Sequence, residues 1–434
     1  IEGAFERHFY RSSTEPESWE YALLADRESS HEFSRQGEPV IDAISYAALV
    51  DEDVATDVQA ILEERHSDFD SAAAGMETEF DGDSHYAEKP IKDHAWRAEW
   101  DYFERSLKTE ARYFSRSAAA HLESLFSNLG ALKTRDDRPL VVTVGPGQQI
   151  ATLFRGRVFQ SMGPLEEALA RPDLKLGPPP SAGATAGRMN AAGISVFYCA
   201  DREDVVIAEV RPPVGSKVVV AQFEIIRPLR LLDLTALGDV GVDGSIFDPA
   251  YARTLERAAF LRTLSRRMTR AVMPDDASLE YLTTQAVADF LATEATDPLD
   301  GIIFPSAQVS GGGINVVLFH KAARVALLDL PAGAEVKASS GSWEDGGDDL
   351  YWETSYEATE YVPQADAAGI AEDGHIPGDP LDPATLHQLW LEREGDSRQP
   401  ALRVLPGSLK VHEVTGVAFS RVEHEVRRRR RVRR

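Results

Sequence analysis

"GRMNAAGISVFYCADREDVVIAEV", residues 187–210, joins a loop rich in Gly and Ala to a strongly apolar segment. The alternation within "GISVFYCA" predicts a strand with Ile194, Val196 and Tyr198 on one face. Arg188 and Glu209 lie in the same short stretch. The packing of an apolar core does not require a guanidinium, a phenol and a carboxylate so close together. The stretch therefore predicts a functional site at the end of a buried strand.

The two polar residues before Glu209 have distinct expected positions. Tyr198 ends the predicted strand, so we expect its ring against the core and its hydroxyl free to point into a cleft. Arg188 lies on "SAGATAGRMNAAG", which we expect to be a long, mobile loop suited to closing over a ligand.

Glu209 admits two local structures. Asp201 is suited to capping a short helix that Pro212 stops, and this helix would carry Glu209 in its last turn. Alternation of Val205, Ile207 and Glu209 is equally compatible with a strand over 204–210. Both interpretations keep Glu209 near Tyr198 in sequence.

Outside this stretch, the pattern predicts an α+β domain preceded by an all-α domain. Residues 1–132 show helical spacing, with Gly130 as a C-cap, and 133–330 alternate between strand-like and helical segments. Residues 331–434 contain an acidic, irregular extension over 341–400, then strand-like sequence and an arginine-rich tail. The predicted strands are "PLVVTV", "GISVFYCA", "KVVVAQFEI", "GIIFP", "INVVLFH" and "RVALLDL"; the predicted helices are "YARTLERAAFLRTLSRRMTRAV" and "SLEYLTTQAVADFLATEA".

Composition excludes several function classes. The chain is 43% apolar with a net charge of −25, so general nucleic-acid binding is disfavoured except at the tail, whose last eight residues are "RRRRRVRR". Cys199 is the single cysteine, which excludes a disulfide framework and a cysteine-based zinc site. No apolar run is long enough for a membrane span and the start lacks a signal-peptide pattern, so we expect a cytoplasmic protein.

Common catalytic signatures are absent from the sequence. There is no GxxxxGK[ST], no GxGxxG opening a helix after a strand, no HExxH and no GxSxG. These absences disfavour P-loop, Rossmann and zincin chemistry, and we expect no metal.

The remaining polar residues suit a dinucleotide with a cationic ring. Arginines bind a pyrophosphate through planar, permanently charged donors, and an aromatic face stabilises a pyridinium by ~0.5–2 kcal/mol. Cleaving the nicotinamide–ribose bond expels a neutral amine, so it requires no general acid, and one carboxylate suffices to stabilise the ribosyl cation. Two arginines, a tyrosine, a glutamate and a serine would form a workable NAD-cleaving site.

At this point five segments resemble the RES domain in order and spacing: "LFRGRVF", "GRMNAAGISVFYCADREDVVIAEVRPPVGSKVVVAQF", "LRLLDL", "YLTTQAVADF" and "GIIFPSAQVSGGGINVVLF". The resemblance covers roughly 139–320 and implies a fold similar to ADP-ribosyltransferases. It also implies NAD degradation, as in bacterial toxin–antitoxin pairs. Residues 1–132 resemble, more weakly, the HEPN-type helical module found ahead of some RES domains. The site residues that the resemblance implies are Arg155, Arg188, Tyr198, Glu209 and Ser306.

The resemblance also implies a role for each residue. Arg155 and Arg188 would bind the pyrophosphate, and Tyr198 would pack on the nicotinamide. Glu209 would stabilise the ribosyl cation, with Arg155 and Ser306 as its catalytic partners, and Ser306 would bind the ribose side or order Glu209. Thr284, Gln285 and Asn315 are expected to be structural.

The sequence therefore predicts an NAD-degrading toxin or antiphage defence effector, a glycohydrolase or phosphorylase with NAD as substrate and no cofactor. One alternative is an ADP-ribosyltransferase acting on a protein or nucleic acid, and another is a non-enzymatic nucleotide-sensing module. We expect a homo-oligomer regulated by an antitoxin or another protein, with no membrane partner and nucleic acid contacted only through the tail.

Overall fold

The computed structural model describes residues 1–26, 29–309, 312–345, 350–362, 396–418, 421–424 and 426. The arginine-rich tail and most of the predicted acidic extension lie outside these residues. The helices are α1 Glu2–His8, α2 Ser18–Ala25, α3 Val40–Ala48, α4 Glu52–His66, α5 Phe69–Ala73, α6 His94–Thr109, α7 Arg116–Phe126, α8 Met162–Ala170, α9 Pro172–Lys175, α10 Glu203–Glu209, α11 Leu234–Leu237, α12 Tyr251–Thr269 and α13 Ala277–Thr293.

The strands fall into one large sheet and three small ones. They are β1 Phe9–Arg11, β2 Glu38–Pro39, β3 His85–Glu88, β4 Val141–Val144, β5 Thr152–Phe159, β6 Phe197–Ala200, β7 Lys217–Ile225, β8 Leu229–Asp233, β9 Gly301–Pro305, β10 Ile314–Leu318, β11 Val325–Ala326, β12 Glu335–Ser339, β13 Ser342–Asp345, β14 Leu350–Glu353, β15 Glu357–Tyr361, β16 Leu402–Val404 and β17 Lys410–Glu413. The mixture of helices and sheets confirms the α+β class.

The chain divides into two compact units, each assembled from separate stretches. The first contains residues 1–106, 131–139 and 236–265, and the second contains 107–130, 140–235 and 266–434. No helix among the described residues combines the length and apolar character needed to cross a membrane.

The first unit is mainly helical but not all-α. Strands β1, β3 and β2 form a small antiparallel sheet, which the sequence analysis missed because these strands are short. The core contains Phe5, Phe9, Ile44 and Phe80, and the rings of Phe5 and Phe9 stack at 4.5 Å between centroids.

The second unit is built on a ten-stranded mixed sheet. Its order is β11-β16-β7-β5-β6-β10-β9-β8-β4, and β17 pairs with β7 beside β16. Pairs β8–β9 and β11–β16 are parallel, and the other pairs are antiparallel. Strands β16 and β17 come from beyond residue 330, so the sheet draws on chain that the predicted boundary assigns to the extension. The domain boundaries stay a prediction.

Each face of this sheet packs on a different helix. Leu153, Phe197 and Phe223 belong to the larger core, which includes Leu165 and Ala168 of α8. On the opposite face, Ala200, Val218 and Val220 pack with Val205 and Val206 of α10. We call this second side the α10 face.

Several local predictions need correction. Helix α7 ends at Phe126 with Ser127 as its C-cap, so Gly130 is not the cap but lies in the 3₁₀ turn Leu129–Ala131. The described part of 341–400 is not irregular throughout, because β13 pairs with β14 and β15 pairs with β12. The strand predicted from "RVALLDL" shrinks to the two residues of β11.

Candidate active site

Glu209 is the last residue of α10, so the helical interpretation of 204–210 is confirmed and the strand alternative is wrong. The predicted cap by Asp201 is also wrong, because Arg202 is the N-cap and no side chain caps the helix. Asp201 Oδ1 instead accepts a hydrogen bond from the Ile314 amide at 3.0 Å. This bond ties the start of α10 to the start of β10.

One oxygen of Glu209 is held from two sides. Ser306 Oγ donates to Glu209 Oε1 at 2.7 Å, and Asn315 Nδ2 donates to the same oxygen at 2.6 Å. Ser306 directly follows β9, and its amide donates to the Gly313 carbonyl at 2.9 Å. The carboxylate is therefore fixed by the adjoining ends of β9 and β10.

Tyr198 lies on the same side of the sheet as this carboxylate. In the β6–β10 register, Tyr198 is opposite Val317 and Ala200 is opposite Asn315. Tyr198 and Asn315 therefore occupy diagonal positions on one face, a relation that separates Cα atoms by about 7–8 Å. Because Ala200 packs with Val205 and Val206, this face is the α10 face.

The Tyr198 hydroxyl is not free, contrary to expectation. It donates to Asn190 Oδ1 at 2.9 Å and accepts from the Met189 amide at 3.0 Å. Burial raises the pKa of Tyr198 to about 12, which keeps the phenol neutral. Strand β6 begins only at Phe197, and Ile194 is 40% exposed rather than buried on the strand face.

Hydrogen bonds hold the loop that carries Arg188 in one conformation, so the loop is not free of contacts. Asn190 is 3% exposed, and its Nδ2 donates to the carbonyls of Thr185 at 3.0 Å, Ala191 at 3.2 Å and Ile194 at 3.0 Å. Gly187 lies so close to Tyr198 that a Cβ there would be 2.7 Å from the hydroxyl oxygen. A side chain at 187 would separate the loop from the strand.

Helix α13 fixes Arg188 from the other side. Thr284 Oγ1 donates to the Arg188 carbonyl at 2.5 Å, and Gln285 Nε2 donates to the Gly187 carbonyl at 2.8 Å. The Arg188 guanidinium lies over the Tyr281 ring at 5.0 Å and donates through Nη1 to the Met268 carbonyl at 2.9 Å. Its Nε and Nη2 make no hydrogen bond within the described parts of the chain, so these donors are available to an anion.

Arg155 contacts the Tyr198 backbone, but its side chain does not share a sheet face with those of Tyr198 and Asn315. It is opposite Ala221 in the β5–β7 register, on the face that also carries Leu153 and Phe223. The next residue, Gly156, faces α10, since a Cβ there would be 2.7 Å from Val206 Cγ1. The Arg155 side chain therefore leaves β5 on the face opposite Glu209.

The guanidinium of Arg155 extends from β5 to β6, and these strands share the single register pair Phe154–Ala200. It donates to the carbonyls of Tyr198 at 2.8 Å and Gly177 at 3.3 Å, and lies 4.5 Å from the centroid of the Phe197 ring. Its Nε is buried without a hydrogen-bond partner among the described residues. Burial lowers the pKa of Arg155 to about 10, so it remains a cation at neutral pH.

Sequence reasoning assigned no site role to Asn315 and Thr284, which contact site residues, or to Gln285, which donates to the Gly187 carbonyl beside Arg188. A signal was available: each is a polar residue inside an apolar pattern, and each is buried in the structure. Buried polar side chains require partners, so such positions are candidates for holding a site in place.

Outside this region, Glu2, Glu6 and His66 form a group in the first unit whose ligand atoms lie within 4.8 Å of one another. Glu2 is already paired with Arg65, and His66 Nε2 is 2.7 Å from Glu2 Oε1. These contacts explain the group as an ion-pair network.

Comparison with known proteins gives one match. Residues 167–339 match the family model of the RES domain, which includes Arg188, Tyr198, Glu209 and Ser306 and begins after Arg155. No curated protein and no solved structure matches the chain. The HEPN-type resemblance of residues 1–132 stays a prediction. Residues 167–339 of this chain are therefore a RES domain.

Proposed function

We propose that this protein cleaves the nicotinamide–ribose bond of NAD. A RES domain indicates NAD-related enzymatic activity of the toxin or effector class in general terms. The observation that supports the specific reaction is the Glu209 carboxylate, held through one oxygen by Ser306 and Asn315 and lying on the same sheet face as Tyr198.

The chemistry requires only one carboxylate. As the C–N bond breaks, its electron pair goes to the pyridinium nitrogen, and nicotinamide leaves as a neutral molecule. Positive charge develops on the ribose C1′, and Glu209 stabilises it electrostatically. Water then adds at C1′ and loses a proton, or phosphate adds in its place.

The proposal assigns binding to the loop side of the site. The free Nε and Nη2 donors of Arg188 bind the pyrophosphate in the planar geometry that favours arginine. The partly exposed Tyr198 ring packs on the nicotinamide. Arg155 donates through Nη1 and Nη2 to the carbonyls of Tyr198 and Gly177, so its role is to hold β6 beneath Tyr198 and to add positive potential.

The test is nicotinamide release from NAD by the full chain, measured with and without a chelator. We expect release in both conditions. Free ADP-ribose identifies hydrolysis, ADP-ribose phosphate identifies phosphorolysis, and label retained on a macromolecule identifies transfer. A wild-type protein that binds NAD but releases no nicotinamide contradicts the proposal and favours the sensing module.

Two variants separate catalysis from binding. Glu209→Gln removes a charge that acts mainly in the transition state, so kcat should fall by ~10²–10³ with KM nearly unchanged. Arg188→Ala should mainly raise KM.

The matched control is Glu203→Gln, the same change on the same helix. Among the described residues, the Glu203 carboxylate lies 2.8 Å from Lys410 Nζ and 2.6 Å from His412 Nε2, away from Glu209. It should retain wild-type kinetics. A Glu209→Gln enzyme within a few-fold of wild type would refute the role of Glu209.

A further inference from the structure

Asn315 is a buried amide on β10 that donates a hydrogen bond to one of the two carboxylate oxygens of Glu209. It is 7% exposed, and its Nδ2 donates to Oε1 at 2.6 Å. Ser306 donates to that same oxygen, whereas Oε2 receives no hydrogen bond from any described residue. Both donors therefore converge on one oxygen and leave the other for a ligand.

This arrangement restricts the carboxylate more than a single donor would. With one bond, the carboxylate could turn about its Cγ–Cδ axis and exchange its oxygens. The donor on β10 and the donor directly after β9 together fix the plane of the carboxylate and determine which oxygen, Oε1, is occupied by hydrogen bonds. Since hydrogen bonds to an ionised acceptor are about twice as strong as neutral ones, the fixed orientation persists while Oε2 engages a developing cation.

We propose that Asn315 is a positioning residue, which acts with Ser306 to present Glu209 Oε2 to the ribosyl C1′. This inference rests on the proposed NAD cleavage and assigns a role to a residue otherwise expected to be structural. Asn315 touches neither NAD nor the reacting atoms, so it acts through Glu209 alone.

An amide is required because it donates without bringing charge. An aspartate at 315 would place a second carboxylate at the position of an atom 2.6 Å from Glu209 Oε1. Two carboxylates so close share a proton, and the pair would ionise only at higher pH. The isosteric change Asn315→Asp should therefore alter the pH dependence of catalysis, not only its rate.

The experiment compares Asn315→Asp, Asn315→Ala and wild type by nicotinamide release across pH 5–9. Asn315→Ala should lower kcat about 10- to 100-fold with KM within a factor of two, a loss of the size expected for one hydrogen bond to a charged group. Asn315→Asp should shift the acidic limb of the kcat profile upward by at least one pH unit.

A control on the same strand tests for a merely structural role. Val316 is adjacent to Asn315, fully buried, and belongs to the core of the opposite face. Val316→Ala should lower stability while retaining kcat per folded molecule and the wild-type pH profile. Ser306→Ala combined with Asn315→Ala should be non-additive, since both donors serve one oxygen.

The outcomes distinguish the two proposals. A wild-type protein without nicotinamide release overturns both. Active wild type with unchanged kcat and pH profile in both Asn315 variants overturns the positioning role alone. Variants that lose stability only as much as Val316→Ala, and lose kcat with an altered pH profile, support it.

Discussion

Asn190→Ala is the substitution with the largest expected effect on the Arg188 loop. The amide group has two protons for three carbonyls, so it makes at most two full donor bonds at a time, and Oδ1 accepts a third from Tyr198. At ~0.5–1.5 kcal/mol each, these three bonds stabilise the closed loop by about 1.5–4.5 kcal/mol. The variant leaves buried carbonyls and the Tyr198 hydroxyl without this partner.

Amide hydrogen exchange measures the loss directly. The amides of Gly187, Met189 and Gly193 donate within the loop or to Tyr198. If local opening limits their exchange, a loss of about 1.5–4.5 kcal/mol accelerates it about 10- to 2000-fold. KM for NAD should rise with Arg188 less well held, while kcat changes little.

Ser181→Ala is the control, because Ser181 is exposed at the start of the same loop and its side chain makes no hydrogen bond in the described structure. It should leave exchange within about threefold of wild type. Equal exchange in Asn190→Ala and wild type would refute the conclusion that Asn190 closes the loop.

Two further substitutions test the strand and helix contacts around Glu209 and Tyr198. Gly313→Ala would place a Cβ 2.4 Å from Val205 Cγ2. It should therefore separate β10 from α10 and lower both Tm and kcat. An unchanged Tm in thermal melts and an unchanged kcat in NAD assays would show that this contact is not tight. Tyr198→Phe tests linkage: since the folded-state pKa is raised to about 12, the stabilising effect of the phenol is complete below pH 10 and is lost as pH rises toward 12. The difference in free energy of unfolding between wild type and Tyr198→Phe, measured by urea unfolding, should shrink by about 1.4 kcal/mol per pH unit over that window. A difference that stays constant with pH would refute the buried phenol.

Much of the sheet was predictable from local sequence. "KVVVAQFEI" and "GIIFP" coincide with β7 and β9 because β-branched residues in short runs favour strands. The prolines after Glu209 predicted one of two alternatives, a helix with Glu209 in its last turn, and the alternation in 204–210 left a strand equally open. The order of strands was not predictable, because neighbours such as β5 and β7 are far apart in sequence and pair through tertiary contacts.

The position of side chains around the site was less predictable. Arg155 was expected beside Arg188, but strand parity sends it to the other face of the sheet. Asp201 has a side chain suited to an N-cap, yet its carboxylate accepts a hydrogen bond from a backbone amide of β10 instead. The partner of Asp201 lies 113 positions away along the chain, a contact that no local pattern contains.

The distance along the chain between Glu209 and its partners also bears on synthesis. Ser306 lies 97 positions and Asn315 106 positions after Glu209. A ribosome-bound chain that ends at Pro305, the last residue of β9, contains the glutamate but neither donor. Strands β16 and β17 join β7 later still. The carboxylate can therefore acquire its held geometry only after the chain has been translated past Asn315.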